Sequence, residues 1–249
     1  MDIRKIGVFD SGIGGLTALS DLIEKFPNED FLYLADTLNC PYGTKTKEEI
    51  ENIVKKNIDY LVNQDVKMII IACNTATANS YGIIKNIPII RIIEPTVNVA
   101  NASIGKLLIL ATNYTIDSGS YKVGLQKEAY FERCSEFVEI VEKGLMKTKQ
   151  SFDVVNHKLS KYNGKVDNVV LGCTHFGLLV DEIKESLGEI NIIDSSLVLS
   201  GVVREELNKN NSNSDNKVGR VDIITTDEAS MLKIDWFDKK ITSIKKVNI

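Results

Sequence analysis

Two hydrophobic patterns alternate along the chain. Short, nearly unbroken runs of aliphatic and β-branched residues predict buried strands, and longer stretches with apolar residues every three to four positions predict amphipathic helices. The strand runs cover residues 3–9, 30–35, 69–72, 89–93, 106–110, 131–134, 166–171, 190–193 and 221–225, with an edge strand near 241–247. Between them, helices are expected to about Lys25, over 45–62, over 74–84, from Glu94-Pro95 onward, from 113 to about Glu128, and over 151–161, 175–187 and 197–207, with a short helix in the tail. The 45–62 stretch is the clearest, with Ile50, Ile53, Val54, Ile58 and Leu61 on one stripe and Lys and Glu opposite. Strand-helix alternation of this kind predicts parallel α/β architecture, with strand tips lining a shared cleft. The polar run 208–216 is the one low-complexity segment and reads as a mobile surface loop.

Composition narrows the function class. A chain of 249 residues with 43% hydrophobic content can bury one large core or two smaller ones, and two compact units fit best. A net charge of −4 with dispersed lysines supplies no basic field, which sets nucleic-acid binding aside. No apolar leader or membrane-length run is seen, so a cytoplasmic protein without membrane attachment is expected. Four cysteines without metal-ligand spacing read as reduced thiols, and two histidines argue against a histidine-rich metal site.

The candidate chemistry sits where the strand runs end. Ile69-Ile70-Ile71-Ala72-Cys73-Asn74-Thr75 and Val169-Val170-Leu171-Gly172-Cys173-Thr174-His175 share one design: an apolar strand, a small residue, a cysteine, then residues suited to a helix N-terminus. Helix N–H groups at such a tip are expected to lower the thiol pKa and attract an anionic ligand. One such cysteine alone would read as a small buried hydrophobe, whereas two in matching contexts suggest a pair facing each other across a cleft. Asp10 ends the first strand before a glycine-rich turn, where it either caps the next helix or serves a ligand or thiol. That turn lacks the dinucleotide fingerprint and the P-loop lysine, so a nucleotide reading would rest on glycine content alone. Pro41-Tyr42-Gly43 is either a plain loop or one that presents backbone N–H groups, the Tyr42 hydroxyl and Asn39 to the cleft. Thr112 and Thr115 either cap a helix or hold one anionic group. Glu136, Glu139 and Glu142 read as a solvated acidic face, and His157 as surface.

Two opposed thiols suit a reaction that takes a proton from one face of a carbon and returns one to the other, which is racemisation or epimerisation. Such a site must stabilise a carbanion with N–H donors and exclude water. No lysine lies at a strand tip to form a pyridoxal Schiff base, so no cofactor and no metal are expected.

Phe9-Asp10-Ser11-Gly12-Ile13-Gly14-Gly15, Pro41-Tyr42-Gly43, Ala72-Cys73-Asn74-Thr75-Ala76 and Gly172-Cys173-Thr174-His175 resemble, in order, the signature blocks of glutamate racemase in the aspartate/glutamate racemase superfamily. The resemblance spans nearly the whole chain. It implies two pseudo-symmetric α/β domains, each a mainly parallel sheet flanked by helices, with the active site in the interdomain cleft. The expected division is 1–95 plus 208–249 for one domain and 96–207 for the other. The resemblance further implies that Cys73 and Cys173 are the two bases and that Asp10 and His175 assist them. By the same token Ser11, Asn74, Thr75 and Thr174 would hold the α-amino and α-carboxylate groups. Pro41, Tyr42, Gly43, Thr112 and Thr115 would frame the side-chain carboxylate, with Glu142 near the ammonium. The implied partner is a small amino acid, glutamate, whose D-form supplies peptidoglycan; a homodimer is left open. Departures from the family's usual residues are Asn39 for Arg, Thr96 for Gly, Ser135 and Glu139 for prolines, and Phe176-Gly177 for Tyr-Pro. Alternatives are a racemase for another amino acid such as aspartate, a non-catalytic amino-acid-binding relative, and a thiol hydrolase that would leave Cys73 without a role.

Overall fold

In the computed structural model, which describes residues 1–228, 234 and 236–249, the strand runs form two parallel sheets. The first contains β1 (Ile6–Asp10), β2 (Phe31–Ala35), β3 (Met68–Ile71), β4 (Ile89–Arg91), β9 (Val221–Thr225) and β10 (Ser243–Lys246) in the order β10-β9-β2-β1-β3-β4. The second contains β5 (Leu107–Ala111), β6 (Ala129–Arg133), β7 (Asn168–Gly172) and β8 (Asn191–Asp194) in the order β6-β5-β7-β8. Every strand pairing among the described residues is parallel. Continuous apolar runs such as Met68–Ile71 and Leu107–Ala111 are fully buried, as strands covered on both faces must be.

Helices cover those faces in layers. Between the sheets lie α1 (Leu16–Lys25), α4 (Ile93–Ala102) and α9 (Ser195–Lys209), whose Leu19, Val97 and Val203 share one core with Ile70 of the first sheet and Ile109 and Val170 of the second. On the outer face of the first sheet, α2 (Lys47–Asn63) packs Ile50, Val54, Ile58 and Leu61 against Phe9, Ile69 and Ile71. Its start is fixed by a capping box in which Thr46 and Glu49 satisfy each other's backbone N–H groups. Beyond the second sheet, α6 (Ser135–Glu142), α7 (Lys149–Leu159) and α8 (Val180–Leu187) close the other end of the molecule. The result is two α/β domains joined through a shared helical layer. No helix among the described residues is long and apolar enough to cross a membrane.

Several expected helices end early for local reasons. α3 (Asn74–Ala78) stops well short of residue 84 because Arg91 turns back onto the chain, donating to the Ser80 and Ile83 carbonyls at 2.8 and 2.9 Å. α5 (Asn113–Asp117) stops at Gly119, which takes the left-handed φ of 71° that favours glycine. The helix expected from residue 175 begins as a 3₁₀ segment, Thr174–Leu179, and becomes α only at Val180. The short tail helix lies outside the described residues.

The polar run expected to be mobile is tied down instead. Lys67 is buried and donates to Glu29 Oε2 at 2.6 Å, to the Asp2 carbonyl at 2.8 Å and to the Ser212 carbonyl at 2.7 Å, which fills all three of its donors. Glu29 in turn accepts the Ser214 N–H at 2.8 Å. Composition alone suggested a free loop; a buried ion pair beneath it supplies the anchors.

Candidate active site

Strand order places the site. In the first sheet β1 lies between β2 and β3, and in the second β5 lies between β6 and β7, so each sheet reverses its winding beside a central strand. Asp10 ends β1, Cys73 follows β3, Thr112 follows β5 and Cys173 follows β7. The carboxyl ends of the two sheets meet, and the tips enclose a cavity of about 20 Å³ lined by Ser11, Tyr42, Gly43, Cys73, Asn74, Thr75, Thr112, Cys173, Thr174 and His175, with Pro41 and Val138 completing the wall. Cys73 and Cys173 thus border one space, each from its own sheet.

On the first side, Cys73 is the N-cap of α3: its Sγ accepts the Ala76 N–H at 3.4 Å and donates to Ser11 Oγ at 3.5 Å. Burial and the nearby Asp10 carboxyl push this thiol's pKa up, despite the Ser11 and Ala76 hydrogen bonds. The expectation that helix N–H groups would lower it is therefore corrected here; desolvation of a thiolate outweighs one short helix end. Asp10 is itself fully buried, and burial raises it to about 6 against the pull of His175, the Gly12 N–H and Thr174. Its Oδ1 accepts Gly12 N–H at 3.0 Å and its Oδ2 accepts the Thr174 hydroxyl at 3.1 Å, a contact between the two halves.

On the second side, Cys173 Sγ lies 3.7 Å from His175 Nδ1, and His175 Nε2 lies 2.6 Å from Glu142 Oε1. Burial would lower His175, but its contacts with Cys173 and Glu142 prevail and raise it to about 10. Glu142 is held below the usual carboxylate range because the His175 contact outweighs its own burial. Glu142, His175 and Cys173 form a relay reaching the cavity from α6. The glycine-rich turn makes this possible, since a side chain at Gly14 would collide with His175 and Thr174, and a Cβ at Gly12 would sit 2.7 Å from Glu142 Oε1. Those glycines admit the other domain rather than a phosphate.

The wall between the cysteines is rich in hydroxyls. Thr75 and Thr112 are 3.1 Å apart, Thr75 and Thr115 3.1 Å, and Thr112 and Thr115 2.9 Å, so the three form a triangle with Thr115 behind the wall. Asn74 is held by the Tyr121 hydroxyl at 2.7 Å. Two expectations are corrected beside it. The Tyr42 hydroxyl and the Asn39 amide do not point into the cleft; both donate to buried Asp36, at 2.5 Å and at 3.0 and 3.1 Å. Tyr42 still lines the cavity beside Gly43.

Of the fourteen residues that the family resemblance assigns to the site, Asp10, Thr115 and Glu142 stand just behind the lining, and the other eleven form it. Glu142, expected as part of a solvated face or near an ammonium group, has His175 as its partner. Asp36 and Cys40 were overlooked. Asp36 ends a strand as Asp10 does, which was the available signal, and Cys40 lies 3.8 Å from Glu142 Oε1. The unusual residues fit locally: a Cβ at position 177 would approach Asp194 Oδ2 to 2.7 Å, Phe176 packs edge-on against Phe137 at 5.4 Å, and Ser135 Oγ accepts the Asn113 N–H. Among the described residues no group of three or more His, Cys, Asp or Glu could hold a metal ion.

Comparison with known proteins places the chain in one family. Residues 18–200 match the family described as Asp/Glu/Hydantoin racemase. The glutamate racemase of Clostridium novyi is 39% identical over 246 residues, covering 91% of this chain and 93% of that protein. The glutamate racemase of Aquifex aeolicus is 37% identical over 218 residues, covering 84% and 86%. The crystal structure of glutamate racemase from Francisella tularensis in complex with D-glutamate has a TM-score of 0.92 at 31% identity and covers 100% of this chain and 98% of that one.

Proposed function

The chain belongs to the Asp/Glu/Hydantoin racemase family, and on that premise we propose that it interconverts L- and D-glutamate by moving a proton through two thiols on opposite faces of Cα. The observation that carries the reading is that Cys73 and Cys173, delivered by different sheets, border the same small polar cavity. In one direction a thiolate removes the Cα proton while the opposing thiol returns its own to the other face; in reverse the roles exchange. Each sulfur ends in the other's starting state, so a proton must be redistributed before the next turnover.

The two sides suit that task differently. Cys73, held up by burial, has Asp10 nearby, a carboxyl raised to about 6 that takes up or releases a proton near neutrality. Cys173 lies 3.7 Å from Nδ1 of His175, the group placed to pass a proton to or from its sulfur. Ser11, Asn74, Thr75 and Thr174 supply donors and acceptors for the α-amino and α-carboxylate groups, and the closed polar wall keeps water from the carbanion. The D-glutamate formed would serve peptidoglycan synthesis in the cytoplasm.

Distal recognition, on this reading, rests on Thr75, Thr112 and the Tyr42-Gly43 backbone. Asn39 is no candidate because its amide is engaged with Asp36. Aspartate, one methylene shorter, reaches those donors only by drawing Cα out of line with the sulfurs, and such misplacement costs about 100-fold in rate. The expected result of chiral chromatography is therefore rapid racemisation of glutamate in both directions, with kcat/KM for L-aspartate and L-glutamine far lower. A preference for aspartate or glutamine would overturn the substrate assignment.

A further inference from the structure

We propose that Asp36 is a positioning residue that fixes the wall against which the substrate's distal carboxylate binds; the inference rests on the glutamate reading above. Asp36 follows β2, its side chain is fully buried, and it receives four neutral donors from its own loop, from α2 and from the end of β9. Oδ2 accepts the Tyr42 hydroxyl at 2.5 Å and the Asn57 amide of α2 at 3.0 Å. Oδ1 accepts the Thr226 hydroxyl, just past β9, at 2.8 Å, and the Asn39 amide spans both oxygens. Thr226 also accepts the Leu38 N–H at 3.0 Å, and Thr37 and Thr225 are joined at 2.7 Å. The loop from Asp36 to Thr44 is thereby fastened to a helix on one side and a strand tip on the other.

The two oxygens of Asp36 accept from all four of these side chains, an acceptor-only pattern that no other side chain of this length supplies. Tyr42 is the link to function: its hydroxyl is committed to Asp36, its ring lies 6.4 Å from Phe9, and the residue lines the cavity beside Gly43. Asp36 touches no reacting atom, so its contribution is the position of Tyr42 and Gly43. Asparagine at position 36 would aim an amide N–H₂ at other donors and leave buried groups unpaired. The wall would then drift, weakening distal contacts equally in the ground and transition states, which raises KM and leaves kcat nearly unchanged. A looser wall also fits a shorter substrate less badly, so preference for glutamate over aspartate should shrink.

The test compares the full-length wild type with Asp36→Asn, Thr226→Val and Tyr42→Phe, using both enantiomers of glutamate and aspartate and chiral chromatography. Asp36→Asn is expected to raise KM for glutamate about tenfold, with kcat nearly unchanged and the glutamate-to-aspartate kcat/KM ratio reduced. Thr226→Val and Tyr42→Phe, each removing one donor, should move KM and the ratio the same way by less. If Asp36→Asn does not fold, Thr226→Val, which keeps the carboxylate and lies away from the cavity, decides the matter. A lower melting temperature with unchanged KM and ratio would assign Asp36 to fold stability and overturn the proposal, as would a fall in kcat at constant KM. A wild type inactive on glutamate overturns the functional reading and this inference with it; an active wild type with insensitive variants overturns this inference alone.

Discussion

Alanine at either Cys73 or Cys173 is expected to abolish racemisation in both directions, lowering kcat on the order of 10⁴-fold. The loss is symmetric because each complete turnover needs an acceptor on one face of Cα and a donor on the other, and the two sulfurs border the cavity from different sheets. One half of the chemistry should survive. A variant with a single thiol can still remove and replace a proton on the face it commands, so in deuterated water each alanine variant should label one enantiomer without inverting it. The two variants should choose opposite enantiomers. In the wild type, product should carry solvent deuterium while the starting enantiomer initially stays largely unlabelled. Mass spectrometry of recovered glutamate reads all of these, and full activity in either variant would remove the two-base mechanism.

Glutamine at position 142 is expected to lower kcat/KM about 100-fold at neutral pH and to displace the alkaline limb of its pH profile toward acid. Glu142 is what keeps a buried imidazolium paired on its far side: its Oε1 is 2.6 Å from His175 Nε2, and His175 is only 2% exposed. Removing that negative charge leaves burial, which lowers His175, opposed by Cys173 and by the Asp10 carboxyl on which His175 pulls. Stability carries the same signature. The native pKa of about 10 lies above the ordinary 6.5, so the stabilisation from protonated His175 is fully present below about 6.5, declines as pH rises, and is gone once pH passes about 10. The wild type should therefore lose melting temperature across that interval more steeply than Glu142→Gln. Superimposable pH profiles for the two proteins would show that Glu142 does not act through His175.

The strands were legible because a buried parallel strand leaves a continuous apolar run that little else imitates, as at Met68–Ile71 and Leu107–Ala111. Helix ends were less legible where a distant side chain sets them: Arg91 terminates α3 from a strand away, and no local pattern announces that. The same division runs through the site. Cys73 and Cys173 could be found because a strand tip is a local feature, whereas Glu142 was marked only by the family resemblance, and its partner His175 shows only in the fold. Tyr42 and Asn39 were misdirected for a related reason. A hydroxyl and an amide near a cleft look available, and only the buried Asp36 between them reveals that they are already engaged. The Cys73 thiol illustrates competition rather than distance, since the helix N–H contact is present and burial still prevails.

The space bounded by the two sulfurs, about 20 Å³, has room for roughly one water molecule and not for an amino acid. A ligand larger than water therefore needs the lining to part before it can enter. Capture is expected to be timed by how often the lining parts, not by diffusion alone. Any ligand will bind with its affinity for the parted form discounted by the fraction of time spent parted, so tightening the closed form weakens apparent affinity even when no contact is lost. In stopped-flow mixing, an association rate that levels off as glutamate concentration rises would read the opening frequency directly.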